Sequence, residues 1–229
     1  MFRPYENKQL TYGRNFLIFA LIYIINTKLA ILKAKIKREV LIMLKKLLLL
    51  CSVILIMTSV GYAKEVGGIN MPESLTAGSD TLILNGAGIR TKYFIKVYVG
   101  GLFLKKKGGD ANTIMNFDEP MAIRLHIISK LITSDKMKET VLEGFQKSTN
   151  GNMAPYKDRI DPFIAVFKDD IKIGDVYDLI YIPGEGTKAY KNKVLKSRTK
   201  GLDFKKVLFG IWLCDKPADK GLKELMLGK

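Results

Sequence analysis

The sequence predicts an α+β domain: an antiparallel sheet with helices packed on one face. Two observations carry this. Stretches with the period-2 pattern or β-branched and aromatic content of strands (Thr81–Leu84, Tyr93–Leu104, Met121–Ile128, Asp175–Ile182) bracket stretches of helical spacing rather than alternating with them one for one. No internal repeat, low-complexity tract or interdomain linker interrupts residues 64–229, which are read as one domain large enough for a real core.

Residues 1–63 read as something other than folded domain. Met43 opens MLKKLLLLCSVILIMTSVGYA. Lys45 and Lys46 supply a positive n-region, Leu47–Met57 an apolar h-region, and Gly61 and Ala63 the small residues of a cleavage site. This predicts a signal peptide over 43–63, cleaved near Ala63, and an exported, periplasmic product. The apolar run is shorter than the roughly 20 residues that span a bilayer. Residues 1–42 hold a second apolar patch, Phe16–Ile25, and a basic stretch from Lys28 to Arg38. Two readings stand: an extension mis-called upstream of a start at Met43, or a genuine N-terminal anchor. A lipid-modified Cys51 fits poorly, because Leu50 stands where a small residue is expected.

The net charge of +16 divides evenly, since residues 1–63 hold ten Lys/Arg against two Asp/Glu. The remaining excess is moderate and argues for no nucleic-acid partner. Past residue 63 the only cysteine is Cys214, so no internal disulfide is expected there; directly after an apolar run, it reads as a small buried residue.

Along the domain, Lys64–Asn70 reads as a flexible start and Met71–Ser79 as a loop or short hairpin. Thr81–Leu84 is a short strand. Asn85–Gly88 is a turn, since glycine tolerates backbone angles other residues avoid. Tyr93–Leu104 is a long strand with a bulge or bend expected at Gly100–Gly101. Lys105–Asp110 is a polar turn. Met121–Ile128 places Met121, Ile123, Leu125 and Ile127 on a buried face, Arg124 and His126 on the other. Ser134–Lys147 is a helix with Ser134 as N-cap, Met137, Val141, Leu142 and Phe145 inward, and Glu139 and Glu143 facing water. Met153–Phe167 is a second helical region, broken near Pro162. Asp175–Ile182 is a strand, followed by a turn at Pro183–Gly186 and a hairpin of Thr187–Tyr190 and Val194–Ser197 through Lys191–Asn192. Leu202–Leu213 is a helix with Phe204, Val207, Leu208, Ile211 and Trp212 inward, and Ala218–Leu227 a short last helix.

Several chemistries drop out. A single histidine, His126, sits mid-strand, so a His-rich metal site cannot form, and no Cys or carboxylate cluster has metal-ligand spacing. No G-x-S-x-G motif offers His126 a nucleophile. Gly86–Thr91 approaches G-x-G-x-x-G, but Thr91 replaces the last glycine and a strand follows instead of a helix; a dinucleotide cofactor is not expected. Lys188, Lys191, Lys193, Lys196, Arg198 and Lys200 form a basic run without an acid, read either as peripheral contact with an anionic membrane surface or as a solvated hairpin whose charges discourage edge pairing.

The residues that remain are Arg90 and Tyr98. Arginine offers a planar fork that matches a carboxylate, and burying it unpaired costs several kcal/mol. An inward Arg90 therefore needs a partner: a bound anion or an internal carboxylate; otherwise it faces water. Tyr98 lies eight positions later, on the same face if alternation is strict.

GAGIRTKYFIKVYVGGLFL resembles the G-x-G-x-R turn and following strand of the chalcone isomerase-like family. Phe117–Ile128 is similar to the family's next strand, and GLDFKKVLFGIWLCDKPADKGLKELMLG to the ending of its exported bacterial branch, with Cys214 where that ending has glycine. The resemblance implies an open-faced β-sandwich: a large antiparallel sheet covered by helices, with a cleft between them. In the enzymes of the family, the arginine of this turn steadies a developing enolate. Arg90 matches it, but the threonine of the next strand falls on Tyr98, and the tyrosine and asparagine of the next helix fall near Met137 and Gly144. In the non-catalytic fatty-acid-binding members, an arginine in the turn and a tyrosine in K-V-Y grip a carboxylate; Arg90 and Tyr98 match both, and Thr91 stands beside them. The resemblance thus implies a fatty acid or similar apolar anion held by Arg90, Tyr98 and Thr91, without cofactor. The alternative is an intramolecular lyase (isomerase) using Arg90 as its catalytic electrophile.

Overall fold

The computed structural model describes residues 7–57 and 64–229 and divides into two units, Met1–Val60 and Gly61–Lys229. In the first, Asn7–Met57 is a single helix, α1, running without a break through Met43. Its described apolar side chains, such as Ile31, Ile36, Leu44 and Leu48, are exposed. Among the described residues no helix is long and apolar enough to cross a membrane. The cleavage site expected at Gly61–Ala63 lies outside the described residues.

The second unit opens with a hairpin, β1 (Lys64–Val66) and β2 (Ile69–Met71), where a flexible start was expected. Seven strands then form one antiparallel meander: β3 (Ser74–Ala77), β4 (Asp80–Lys92), β5 (Ile95–Leu104), β6 (Met121–Ile127), β7 (Val176–Ile182), β8 (Gly186–Lys191) and β9 (Val194–Thr199). Each pairs with its neighbours in sequence, so no crossover is needed. Helices fill the connections and the C-terminus: α2 (Ala111–Asn116), α3 (Ser134–Ser148), α4 (Lys157–Ile164), α5 (Leu202–Leu213) and α6 (Lys220–Met226). The α+β class and the helix-covered sheet are as the sequence predicts.

The main core lies between the sheet and the helices. Leu102, Ile123, Leu125, Ile127, Tyr177, Leu179 and Tyr181 meet Phe145, Phe163, Phe204, Leu208 and Trp212. A second apolar layer lies on the opposite face. There Leu82, Ala87, Val99, Phe103 and Ala122 are closed over by Met71 and Ala77, with Val66, Ile69 and Leu75 packed against them. At the β1–β2 turn, a Cβ on Gly67 would stand 2.7 Å from Ile89, so glycine there lets the hairpin lie close on the sheet.

Several elements differ from the sequence reading. Asn85–Gly88 is not a turn but the middle of the 13-residue β4. Its glycines serve close packing: a Cβ on Gly86 would lie 2.1 Å from the Leu225 carbonyl oxygen, and one on Gly88 2.5 Å from Leu225 Cδ1, so bare backbone lets α6 rest on the sheet. The bulges fall at Leu84/Gly86 and Arg90/Thr91, whereas Gly100–Gly101 keeps regular pairing. The strand read as starting at Tyr93 starts at Ile95, because Tyr93 and Phe94 form a turn. Thr133, not Ser134, caps α3, accepting from the Lys136 amide, while the Ser134 hydroxyl donates to the Phe167 carbonyl. Leu142 faces out, and Pro162 sits inside α4, flanked by short 3₁₀ turns. The last hairpin turns at Asn192–Lys193, one residue later than expected. Cys214 is only half-buried and carries no disulfide.

Buried charge is tied to backbone. Lys205, fully buried in α5, donates to the carbonyls of Ile114, Met115 and Phe117 at the end of α2. Cations suit the carbonyl end of a helix. Burial pushes its ammonium down to about 8. On the outer face, Arg124 grips Asp178 through two bonds of 2.6 and 2.8 Å. Burial and that arginine hold His126 below the usual imidazole range.

Candidate functional site

Arg90 ends the regular part of β4 and pairs across the hairpin with Tyr98 of β5. Directly paired antiparallel residues share a face. The two side chains therefore meet because the chain folds back on itself, not because of alternation along one strand. Val97, the unpaired residue of the bulge, separates this pair from the Thr91–Lys96 pair.

Arg90 is only 8% exposed. Its Cζ lies 5.5 Å from the Tyr98 ring centroid, within reach of a cation–π attraction. Its Nε is buried with no hydrogen-bond partner, and no carboxylate among the described residues forms an ion pair with the guanidinium. Asp219 lies nearby, but its oxygens accept from the amides of Thr91 (3.1 Å) and Leu222 (2.9 Å), capping α6.

Tyr98 is buried, and its hydroxyl accepts from Trp212 Nε1 at 2.8 Å. Burial raises the phenol above its ordinary range, although Arg90 and the indole act in the opposite direction. The group is a neutral O–H whose oxygen is already occupied by the indole hydrogen, leaving its own hydrogen to donate.

Both groups line a cavity of about 280 Å³ between the β4–β5 hairpin, the loop at residues 128–133 and α3. Ile95, Val97, Leu131, Ile132 and Met137 make the walls apolar. The lining holds three cations, Arg90, Lys92 and Lys136, against one carboxylate, the exposed Glu139. The cavity thus presents donors and positive charge around an apolar interior, an arrangement chemically able to accept an anion with an apolar body.

The structure brings Arg90 and Tyr98 together but not Thr91. Beyond the bulge Thr91 is exposed, and it does not line the cavity. His126 pairs with Val99, whose side chain belongs to the opposite face. Met137 lines the cavity and offers no proton, while Gly144 is closed off by α5, where a Cβ would sit 2.6 Å from Ile211. Among the described residues no His/Cys/Asp/Glu group could hold a metal ion. Part of the basic run of the last hairpin is paired with acids distant in sequence or in the preceding turn: Lys188 and Arg198 with Glu185, Lys191 with Asp175 and Lys196 with Asp169. Sequence reasoning missed Trp212 as the partner of Tyr98. The two lie 114 residues apart, and Trp212 reads simply as a core residue of its helix.

The sequence profile of a family described as chalcone isomerase-like matches residues 63–228. Among solved structures, the crystal structure of an Arabidopsis thaliana fatty-acid binding protein superposes with a TM-score of 0.56 at 21% identity, covering 70% of this chain and 92% of that one. At that identity the likeness speaks for the fold. Comparison with curated proteins finds no match.

Proposed function

The chain belongs to the chalcone isomerase-like family, and we propose that it is an exported protein that binds a fatty acid or a similar apolar carboxylate in the cavity between the β4–β5 hairpin and α3. The observation that carries this is the guanidinium of Arg90: buried, without a carboxylate partner among the described residues, and lining a cavity. A carboxylate would take the free Nε–H and a terminal N–H of the arginine side by side, with the Tyr98 hydroxyl as a further donor. The structural neighbour that binds fatty acid supports the same ligand class.

A volume of about 280 Å³ is at the small end for ligand sites. It suits a carboxylate head with the first part of its chain, the rest leaving past Ile95 and Leu131. Each methylene removed from water contributes about 0.8 kcal/mol. Arg90 would therefore set orientation while the chain sets much of the affinity. Export rests on the Met43–Ala63 sequence, and N-terminal sequencing of the processed protein checks it.

Mass spectrometry of acids that co-purify with the native protein tests the reading. A carboxylic acid retained by the wild type and lost from Arg90→Ala is the expected result. An equal yield from both proteins would remove the basis of the proposal.

A further inference from the structure

The two residues joining β4 to β5, Tyr93 and Phe94, both have positive φ, 50° and 65°. A two-residue turn of this hand favours Asn-Gly. Here it holds two aromatic side chains, 83% and 101% exposed. Ile95 follows at 42%, and Leu131, on the loop that also lines the cavity, stands at 53%. Large apolar groups are thus held in water at a position where small polar residues would be less strained.

Exposed lysines accompany them. Lys92 and Lys96 flank the turn, Lys130 adjoins Leu131, and Lys136 lines the same cavity. None of these four forms an ion pair among the described residues, in contrast to Lys188, Lys191 and Lys196 of the last hairpin. Lysine is depleted from protein–protein interfaces. Aromatic and apolar tips flanked by lysine suit the headgroup zone of a bilayer, where the ring enters and the ammonium stays with phosphate.

We propose that the β4–β5 hairpin tip inserts into the surface of an anionic phospholipid bilayer, with Tyr93, Phe94, Ile95 and Leu131 entering the lipid and the surrounding lysines meeting its phosphates. The cavity mouth then opens onto the membrane, so an acyl chain passes between bilayer and cavity without crossing water. Its purpose rests on the carboxylate-binding reading above; the quenching test that follows does not.

The experiment uses the full chain carrying Phe94→Trp. The one native tryptophan, Trp212, is buried, so the added indole is the exposed reporter. Vesicles of phosphatidylglycerol and phosphatidylethanolamine, with lipids brominated along the acyl chains, are expected to quench it. Pure phosphatidylcholine vesicles should quench about threefold less or weaker still, as should anionic vesicles when Lys96→Glu and Lys130→Glu are added. The readout is local, so attachment of the chain through any other segment leaves the signal unquenched. Absence of quenching in anionic vesicles overturns the proposal, and equal quenching in phosphatidylcholine overturns its charge component.

Phe94→Gly supplies a second test, because glycine fits the turn and Phe94 does not line the cavity. This variant is expected to keep its affinity for a fatty acid in solution and to slow transfer of that acid from anionic vesicles about tenfold. Unchanged transfer would overturn the proposal. Arg90→Ala separates the two readings: it should abolish retention of the acid and leave quenching of the tip reporter unaltered.

Discussion

Arg90 and Tyr98 line one cavity, yet Arg90 opposes stability and Tyr98 supports it. The buried Nε of Arg90 has no partner, and an unsatisfied buried donor on a charged group costs about 1–3 kcal/mol or more. Arg90→Met is therefore expected to raise the unfolding free energy by about 1 kcal/mol while losing the bound acid. Denaturant titration of ligand-free protein checks the first part. Tyr98→Phe should act in the opposite sense. It removes the acceptor of the Trp212 indole and leaves that N–H buried, so the domain should lose about 1–3 kcal/mol. Thr91 lies outside the cavity, because the bulge after Arg90 turns it to the surface, where its amide donates to Asp219.

At the scale of elements, β4 and α6 depend on each other. Gly86 and Gly88 are conspicuous in the sequence, but their reason is not local conformation. Neither has positive φ; each lies beneath Leu225. Gly86→Ala sets a methyl against backbone that cannot rotate away, and a loss of about 3 kcal/mol is expected in denaturant melts. The β4–β5 turn should respond oppositely. Tyr93→Asn with Phe94→Gly relieves two left-handed aromatic residues and is expected to stabilise the domain by about 1–2 kcal/mol, read as a higher thermal midpoint.

Over the whole molecule, buried phenols govern the alkaline limit. Burial raises Tyr98, Tyr177 and Tyr181 above the ordinary tyrosine value of 10.0, helped at Tyr177 by Asp175 and at Tyr181 by its bond to Asp118. In the unfolded chain these tyrosines ionise near 10, so above that pH the folded state binds more protons than the unfolded one. Their contribution is intact below about pH 10 and is lost as pH rises further. Unfolding and the appearance of tyrosinate absorbance should therefore coincide in an alkaline titration. Ionisation well before unfolding would show that the phenols are not protected.

Much of the fold was legible because it rests on periodicity. Alternation in Met121–Ile127 placed its buried face, and helical spacing placed α5 over Leu202–Leu213, since both patterns are set by burial of one side. The Tyr93–Phe94 turn was not legible, because two aromatic residues read as strand and only the paired strands hold them in the left-handed region. The β1–β2 hairpin also escaped, its strands being three residues long with a single buried side chain between them. By itself the sequence determined the sheet-and-helix class and the family resemblance, and it singled out Arg90 and Tyr98, which line one cavity. Only the tertiary structure decided that Arg90 lacks a counter-ion among the described residues, that Trp212 bonds Tyr98 and that the hairpin tip stands in solvent. Those are facts about which groups meet across distant parts of the chain, and a local pattern carries no record of them.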